Sequence, residues 1–400
     1  MLLLWFFQIT VLHASEKPTE RERVFTSYDS EVLEKVKKAI KHNNNDFIAP
    51  YNHLITAAEK ALKAPLVSVM QKTQTPPSGD KHDYLSLAPY WWPDPSKSDG
   101  LPWIRKDGQI NPLTRGNNVD EPIKDIVFDN TKVLAMAYYF SGDKKYANRA
   151  VEILQTFFLN PATKMNPNLN FAQGVPGVNT GRCFGIIEFA GLQQIITTIE
   201  MLRAEQGMDD ATYNGMVNWL SEFVNWLQTS KLGLEEKATT NNHGTWYDAT
   251  TVAILLFLKR DTEAKALLET STKSRIEKQI TEEGKQPEEL ARTKSLSYSI
   301  MNLNAFTNLA YFGKVLGVDI WHYKTNKSGG IQQAYEFLKP YTGGNKVWEY
   351  QQISKIEDEI EKLKKLFVMA GSKMKINTFC SFSDNIKDKN DIDSLLRVCL

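Results

Sequence analysis

Residues 239–248 read Thr-Thr-Asn-Asn-His-Gly-Thr-Trp-Tyr-Asp. Two amides, an imidazole, an indole, a phenol and a carboxylate crowd around one glycine. A turn needs little more than one glycine and one asparagine, so this inventory exceeds what chain reversal requires. A site that grips a polar ligand needs convergent donors and acceptors between aromatic walls, and His243 is the natural centre of such a site. The same stretch bears on the fold, because apolar helical segments lie on both sides. Before it, residues 211–227 carry Met216, Trp219, Leu220, Phe223 and Trp226 at helical spacing; after it, residues 249–258 continue the series.

Further out, the helical period repeats. Val32, Leu33, Val36 and Ile40 share one face, with Lys and Glu opposite. Residues 47–62 form a second helix, and residues 126–140 and 147–158 a pair around Gly142. Residues 184–202 are long and apolar enough to be buried, and 264–268 and 297–316 follow. In residues 354–370, Ser354 with Glu357 reads as a capping box, Ile356, Ile360, Leu363 and Phe367 as a core stripe, and Gly371 as the stop. There is no strand alternation and no βαβ rhythm. Roughly a dozen helices without a sheet predict an all-α fold, closed as an α/α barrel (toroid) of about six or seven helical hairpins.

Two stretches interrupt the helices. Residues 73–122 are rich in Pro and Gly and hold Tyr84, Tyr90, Trp91, Trp92 and Trp103. Loops this long are functional or disordered, and the aromatics argue against disorder; the reading is a long aromatic lid or cleft wall, the plainer one a loop folded over the outside. Residues 160–182 are a second irregular segment. The polar tail 381–400 carries Asp384, Asp388, Asp391 and Asp393 but lacks the glycine and closing Glu of a calcium loop, and reads as a solvated end.

Composition narrows the function. Hydrophobic residues at 42% and charged residues at 24% of 400 fit a globular protein, and one barrel domain can occupy 16–400. A net charge of +1 with no basic stripe disfavours nucleic acid. Any attraction for an anionic polymer must be local. Cys183, Cys380 and Cys399 make no disulfide framework, and whether Cys380 and Cys399 pair stays open. No Cys/His spacing resembles a metal site, and neither metal nor cofactor is expected. Residues 1–15 combine an apolar run, 2–12, with His13-Ala14-Ser15. This resembles a secretory signal peptide and is too short to span a bilayer. The expectation is an exported protein, periplasmic or secreted, with no membrane partner, acting as a monomer.

Four clusters could carry chemistry. The first is Asn241-Asn242-His243-Gly244 with Trp246, Tyr247 and Asp248; its plainer reading is a capped helix start around a buried His. The second runs from Glu288 and Glu289 through Arg292 to Tyr298. Six residues on one helix leave Arg292 and Tyr298 roughly 120° apart, so they converge only if the chain bends. The third, Asn179-Thr180-Gly181-Arg182, places a guanidinium where a loop enters an apolar helix. The fourth, Tyr84 through Tyr90, Trp91 and Trp92 to Asp94, is a sugar-stacking wall or a packed loop core.

Taken together and in this order along the chain, the four segments resemble the alginate-lyase superfamily of helical-toroid polysaccharide lyases, over residues 83–316. The resemblance implies a helical toroid and β-elimination of a uronic-acid polymer, alginate or a related uronan. It also implies Asn242 and His243 at the catalytic centre, Arg292 beside the substrate carboxylate and Tyr298 as the proton-transferring phenol.

Those residue types suit that chemistry. The C5 proton of a uronate is poorly acidic while its carboxylate is charged, so the carboxylate must be neutralised and the enolate-like intermediate stabilised. Arg offers a bidentate fork; Asn242 and His243 can bond the same oxygens. A phenol of ordinary pKa working as a phenolate near pH 7.5 costs roughly 3.4 kcal/mol, which adjacent cations can offset. In mannuronate the C5 proton and O4 lie on the same side of the ring, so one Tyr can serve both. In guluronate they lie on opposite sides, and His243 as base with Tyr298 as acid, or a second Tyr such as Tyr247, is required. Arg182, Asn179, Tyr84, Tyr90, Trp91, Trp92, Trp246 and Tyr247 are expected to bind the polymer. Two rivals remain: a glycoside hydrolase using two carboxylates among Asp248, Glu288, Glu289, Asp83 and Glu188, and a uronan-binding protein that does not cut.

Overall fold

The computed structural model describes residues 25–343, 346–388 and 391–399; the stretch read as a signal, 1–15, lies outside them. Its α-helices are α1 (Ser30–Lys41), α2 (Asn45–Lys63), α3 (Glu121–Ser141), α4 (Lys144–Leu154), α5 (Leu192–Ala204), α6 (Asp210–Thr229), α7 (Lys231–Ala238) and α8 (Asn242–Phe257). They continue as α9 (Asp261–Leu267), α10 (Lys273–Gln279), α11 (Pro287–Leu290), α12 (Ser295–Leu316), α13 (Ile331–Leu338), α14 (Ile356–Met374) and α15 (Asn377–Cys380).

Burial sorts these helices into layers. In α1 one stripe, Val32, Leu33, Val36 and Ile40, is buried while lysines face outward. In α8 every residue except His243 and Trp246 is buried, and α12 is almost as enclosed. A helix apolar all round must be surrounded. Accordingly α3, α5, α8 and α12 stand side by side, with α2, α4, α6, α7 and α14 packed on them. The result is the helical toroid expected from the sequence.

Several local expectations are corrected. Among the described residues there are four short strands: β1 (Leu85–Leu87), β2 (Trp91–Trp92), β3 (Ile104–Arg105) and β4 (Phe171–Gly174), with β1 parallel to β4 and β2 antiparallel to β3. At two to four residues they are too short to show alternation. Residues 184–202 are not one helix, because a 3₁₀ turn, Cys183–Phe189, precedes α5. In α14 the capping box is absent, and the helix runs through Gly371 to end at Lys375 with φ +59°. Gly371 is there for close approach: a Cβ would lie 2.9 Å from Cys380 Sγ.

The tail is no solvated end. Cys399 is disulfide-bonded to Cys380, Leu395 and Leu396 are buried, and Asp391 pairs with Lys365 and Arg397 at 2.7 Å each. The turn Ile392–Leu395 packs on α2, joining the last helices to the first. The lid is likewise rooted in the core. Lys72 and Asp120, at its two ends, are fully buried and paired at 3.0 Å, and Asp120 also accepts from the Leu85 amide at 2.8 Å.

Candidate active site

The first turn of α8 is held from several directions. The Asn241 side chain caps it, accepting from the His243 amide at 3.2 Å. Asn242 is fully buried, and its backbone N–H and Nδ2 both donate to the Glu289 carboxylate at 2.7 Å. His243 is left partly open, its side chain 16% exposed; its Nδ1 lies 2.7 Å from Glu236 Oε1. The imidazole packs edge-on against Phe184, ring centres 4.7 Å apart, and the Arg182 guanidinium sits 5.1 Å from that same phenyl ring. Arg182 Nη2 donates to Gln173 Oε1 at 2.7 Å, and burial lowers the Arg182 pKa to about 10. Gly244 matters here, since a Cβ would strike Arg275 Nη1 at 2.1 Å.

Arg292 and Tyr298 do converge, because α11 stops at Leu290 and α12 starts only at Ser295. The bend between them lays the Arg292 guanidinium over the Tyr298 ring, 3.8 Å from its centre. The Arg292 fork is engaged by Asp107 from the lid, with Nη2–Oδ1 2.7 Å and Nε–Oδ2 3.2 Å. The Tyr298 hydroxyl donates to the Tyr90 hydroxyl, also on the lid, at 2.8 Å. Burial raises the Tyr298 pKa, Tyr90 adds to the rise, and Arg292 opposes it without prevailing. Burial favours neutral Asp107 too, but the bonds and charge of Arg292 override it and hold that carboxyl well below the usual range. Loop 73–122 is thus pinned across the site rather than over the outside.

The two halves meet through Glu289, which binds Asn242 and lies three residues before Arg292. Beneath them a buried amide network, Thr245–Gln279–Asn302–Gln286, links α8 and α10 to α12.

Other residues singled out in the sequence have different surroundings. Tyr84 is fully buried, donates to Glu188 at 2.7 Å and packs edge-on against Phe189. Tyr247 is 2% exposed, and its hydroxyl donates to the Leu227 carbonyl at 3.0 Å. Both are core side chains with no face for a ligand. Asn179 is exposed in a turn, where its Oδ1 accepts from the Val175 amide at 3.1 Å. Trp91 and Trp92 are half-buried on β2; Trp92 donates to the Gln109 carbonyl at 3.0 Å, and Lys106 covers its ring. Trp246 shares the open face of α8 with His243. Of the carboxylates considered for hydrolysis, Asp248 is closed off by Arg275, Glu289 by Asn242, Glu188 by Tyr84 and Ser86, and Asp83 by Ser78, Asn166 and Asn168; Glu288 is exposed on α11.

Four neighbours of the site were given no role in the sequence reading: Glu236, Gln173, Asp107 and Phe184, the last lying just past Arg182 in the third cluster. Glu236 alone offered a signal, seven residues before His243 at the end of a charged helix. Gln173 sits at φ +50°, and Asp107 reaches across 185 residues, features with no local trace.

The family model described as alginate lyase matches residues 68–348. The chain belongs to the alginate lyase family. It is a polysaccharide lyase. A crystal structure of an alginate lyase from Bacteroides ovatus is 35% identical, with 94% of this chain and 99% of that one covered at a TM-score of 0.89. An alginate lyase from a Sphingomonas species is 18% identical over 87% and 94% of the two chains, TM-score 0.51. A histidine-to-alanine variant of alginate lyase A1-III complexed with tetrasaccharide is 17% identical over 85% and 89%, TM-score 0.55. These last two share the fold. No curated protein matches this lyase.

Proposed function

We propose that this lyase depolymerises alginate by β-elimination in the cleft between the first turn of α8, the start of α12 and the lid. The observation that carries the reading is Arg292 stacked on Tyr298 beneath lid residue Tyr90, joined to the His243 turn through Glu289. A uronate carboxylate is neutralised by Arg182 and Arg292, joined by His243 when its ring is protonated on both nitrogens, while Asn242, buried and bound to Glu289, holds the turn that presents His243. The substrate displaces Tyr90 from Tyr298. That removes one cause of the raised phenol pKa and leaves the Arg292 charge opposed only by burial and by Asp107. On mannuronate, Tyr298 takes the C5 proton and passes one to O4 on the same face. Trp91, Trp92 and Trp246 supply apolar surface to the sugar rings.

A Tyr298→Phe variant tests this. Removing a positioned acid–base group lowers kcat on the order of a hundredfold or more, read as absorbance of the unsaturated product. Turnover within roughly tenfold of wild type excludes the role of Tyr298. We further propose that the protein is exported and acts as a monomer. The Cys380–Cys399 bridge supports export, since disulfides persist in oxidising compartments. One chain supplies every site residue described.

A further inference from the structure

Glu236 is the residue at this site that the chemistry above does not use. Its side chain is 1% exposed, yet it is spent neither on a surface ion pair nor on a cap. One carboxylate oxygen meets His243 Nδ1 at 2.7 Å, and the other is buried without a partner. The neighbouring Cys183 thiol, pushed up to about 12 by burial and then by the Glu236 charge, is uncharged; it sits beside the carboxylate as a weak donor and brings no competing ion. A buried carboxylate can only accept hydrogen bonds. It therefore requires a proton on Nδ1, and in the neutral ring that leaves Nε2 bare. Nε2 has no hydrogen bond among the described residues, and His243 is one of only two α8 residues that are not buried. An acceptor holding one ring nitrogen so that the other serves as base is the arrangement of a general-base histidine.

We propose that Glu236 is a positioning residue that fixes the His243 tautomer and so makes His243 the C5 base for guluronate, giving this lyase both epimers as substrates. The inference rests on the lyase reading above. On guluronate the proton and the leaving group lie on opposite faces, so two groups are needed. Nε2 takes the C5 proton, the C5–H electron pair becomes the C4=C5 double bond, the C4–O4 bond breaks, and O4 takes the Tyr298 proton. The step leaves an imidazolium and a phenolate, and proton transfer through water restores both. The carboxylate then falls to Arg182 and Arg292. A neutral Tyr298 suits this acid role, and its burial favours that form.

The test uses Glu236→Gln, isosteric and able to donate to Nδ1, and Glu236→Ala, with a melting curve confirming that each is folded. Long-range nitrogen–proton spectra of the His243 ring, assigned by difference with His243→Ala, report the tautomer independently of activity. Wild type shows protonated Nδ1 and bare Nε2, and Glu236→Gln moves the proton toward Nε2. With polyguluronate the Gln variant loses kcat on the order of a hundredfold at little-changed KM, as expected when a base is held in the wrong tautomer. With polymannuronate the loss stays under roughly tenfold, because Tyr298 is the base there. An unmoved ring proton overturns the proposal, and so does an equal loss on both polymers. If wild type makes no unsaturated product from either polymer, the lyase reading fails and the base role with it; the ring spectra still decide whether Glu236 sets the tautomer.

Discussion

The first and second turns of α8 bury ionisable groups in opposite ways. At the second turn Asp248 is fully buried, and every bond it makes is internal. Arg275 Nε and Thr272 bind one oxygen at 2.8 and 3.1 Å, and Arg275 Nη2 and Ser271 bind the other at 3.1 Å each. Arg275 also ties down the carbonyls of Lys237 and Thr239 at 2.7 and 2.8 Å, fixing the turn that leads into His243. At the first turn the accounts stay open. Glu236 Oε2, Asn242 Oδ1 and the Trp246 indole N–H are buried without partners, and His243 keeps a free nitrogen. A closed pair is scaffold, whereas unspent polar groups beside a cleft are capacity for a ligand. This difference, more than residue type, rules out Asp248 as a hydrolytic acid.

The contrast is broken most forcefully by exchanging the two turns' fates. Asp248→Asn leaves Arg275 buried opposite a neutral amide, and stability falls by about 3–5 kcal/mol, as when one partner of a buried pair is removed. Activity follows the folded fraction. His243→Asn, whose side-chain amide can still donate to the buried Glu236, should do the reverse, losing product formation while the melting temperature stays near that of wild type. Calorimetry beside a turnover assay checks both; an Asp248→Asn protein as stable as wild type would show that the second turn is not scaffold.

A smaller effect sharpens the comparison at Glu289. Burial raises its pKa to about 7, against the lowering effect of its bonds to Asn242. Between the ordinary glutamate value and about pH 7, the folded state holds a proton that the unfolded chain has released. Stability from this group is therefore complete below the unfolded pKa and is lost as pH rises through the folded one. From the shift, the loss is at most about 3 kcal/mol. Glu289→Gln should remove that slope from denaturation midpoints measured between roughly pH 4.5 and 7. An unchanged slope would mean that Glu289 is charged throughout.

The toroid was legible because a helical period accumulates over many residues and sorts itself by burial: α1 shows a stripe, α8 and α12 nearly none. The strands were not, since pairs such as Trp91–Trp92 have no room to alternate. The tail misled for a different reason. Four aspartates make the tail read as polar, but Leu395, Leu396 and Val398 are buried. His243, Arg292 and Tyr298 stood out because their residue types are unusual in context. Aromaticity failed as a guide at Tyr84 and Tyr247, since a phenol that walls a cleft and one that fills a core look alike in sequence. Glu236, in an ordinary Leu-Glu-Glu-Lys helix end, carries no mark of its partner.

The smallest predicted effect concerns the lid clamp, where Asp107 and Arg292 join the two halves from above. Their side chains are 21% and 17% exposed, so solvent screens the pair and its contribution to stability is about 1 kcal/mol. The depressed Asp107 pKa contributes that stability above the usual aspartate range, and it is lost as pH falls toward the folded value. Asp107→Asn should therefore change the melting temperature by only a degree or two at neutral pH. Its clearer signature is electrostatic. The Asp107 charge helps to raise the Tyr298 pKa and occupies the guanidinium that opposes the rise. Removing it frees Arg292 to favour the phenolate, so the acidic limb of kcat/KM on polymannuronate moves to lower pH. The same limb on polyguluronate, where His243 is the base, stays in place. A matching displacement on both polymers would mean that one residue removes the proton from both epimers, and the division of labour between His243 and Tyr298 would fall.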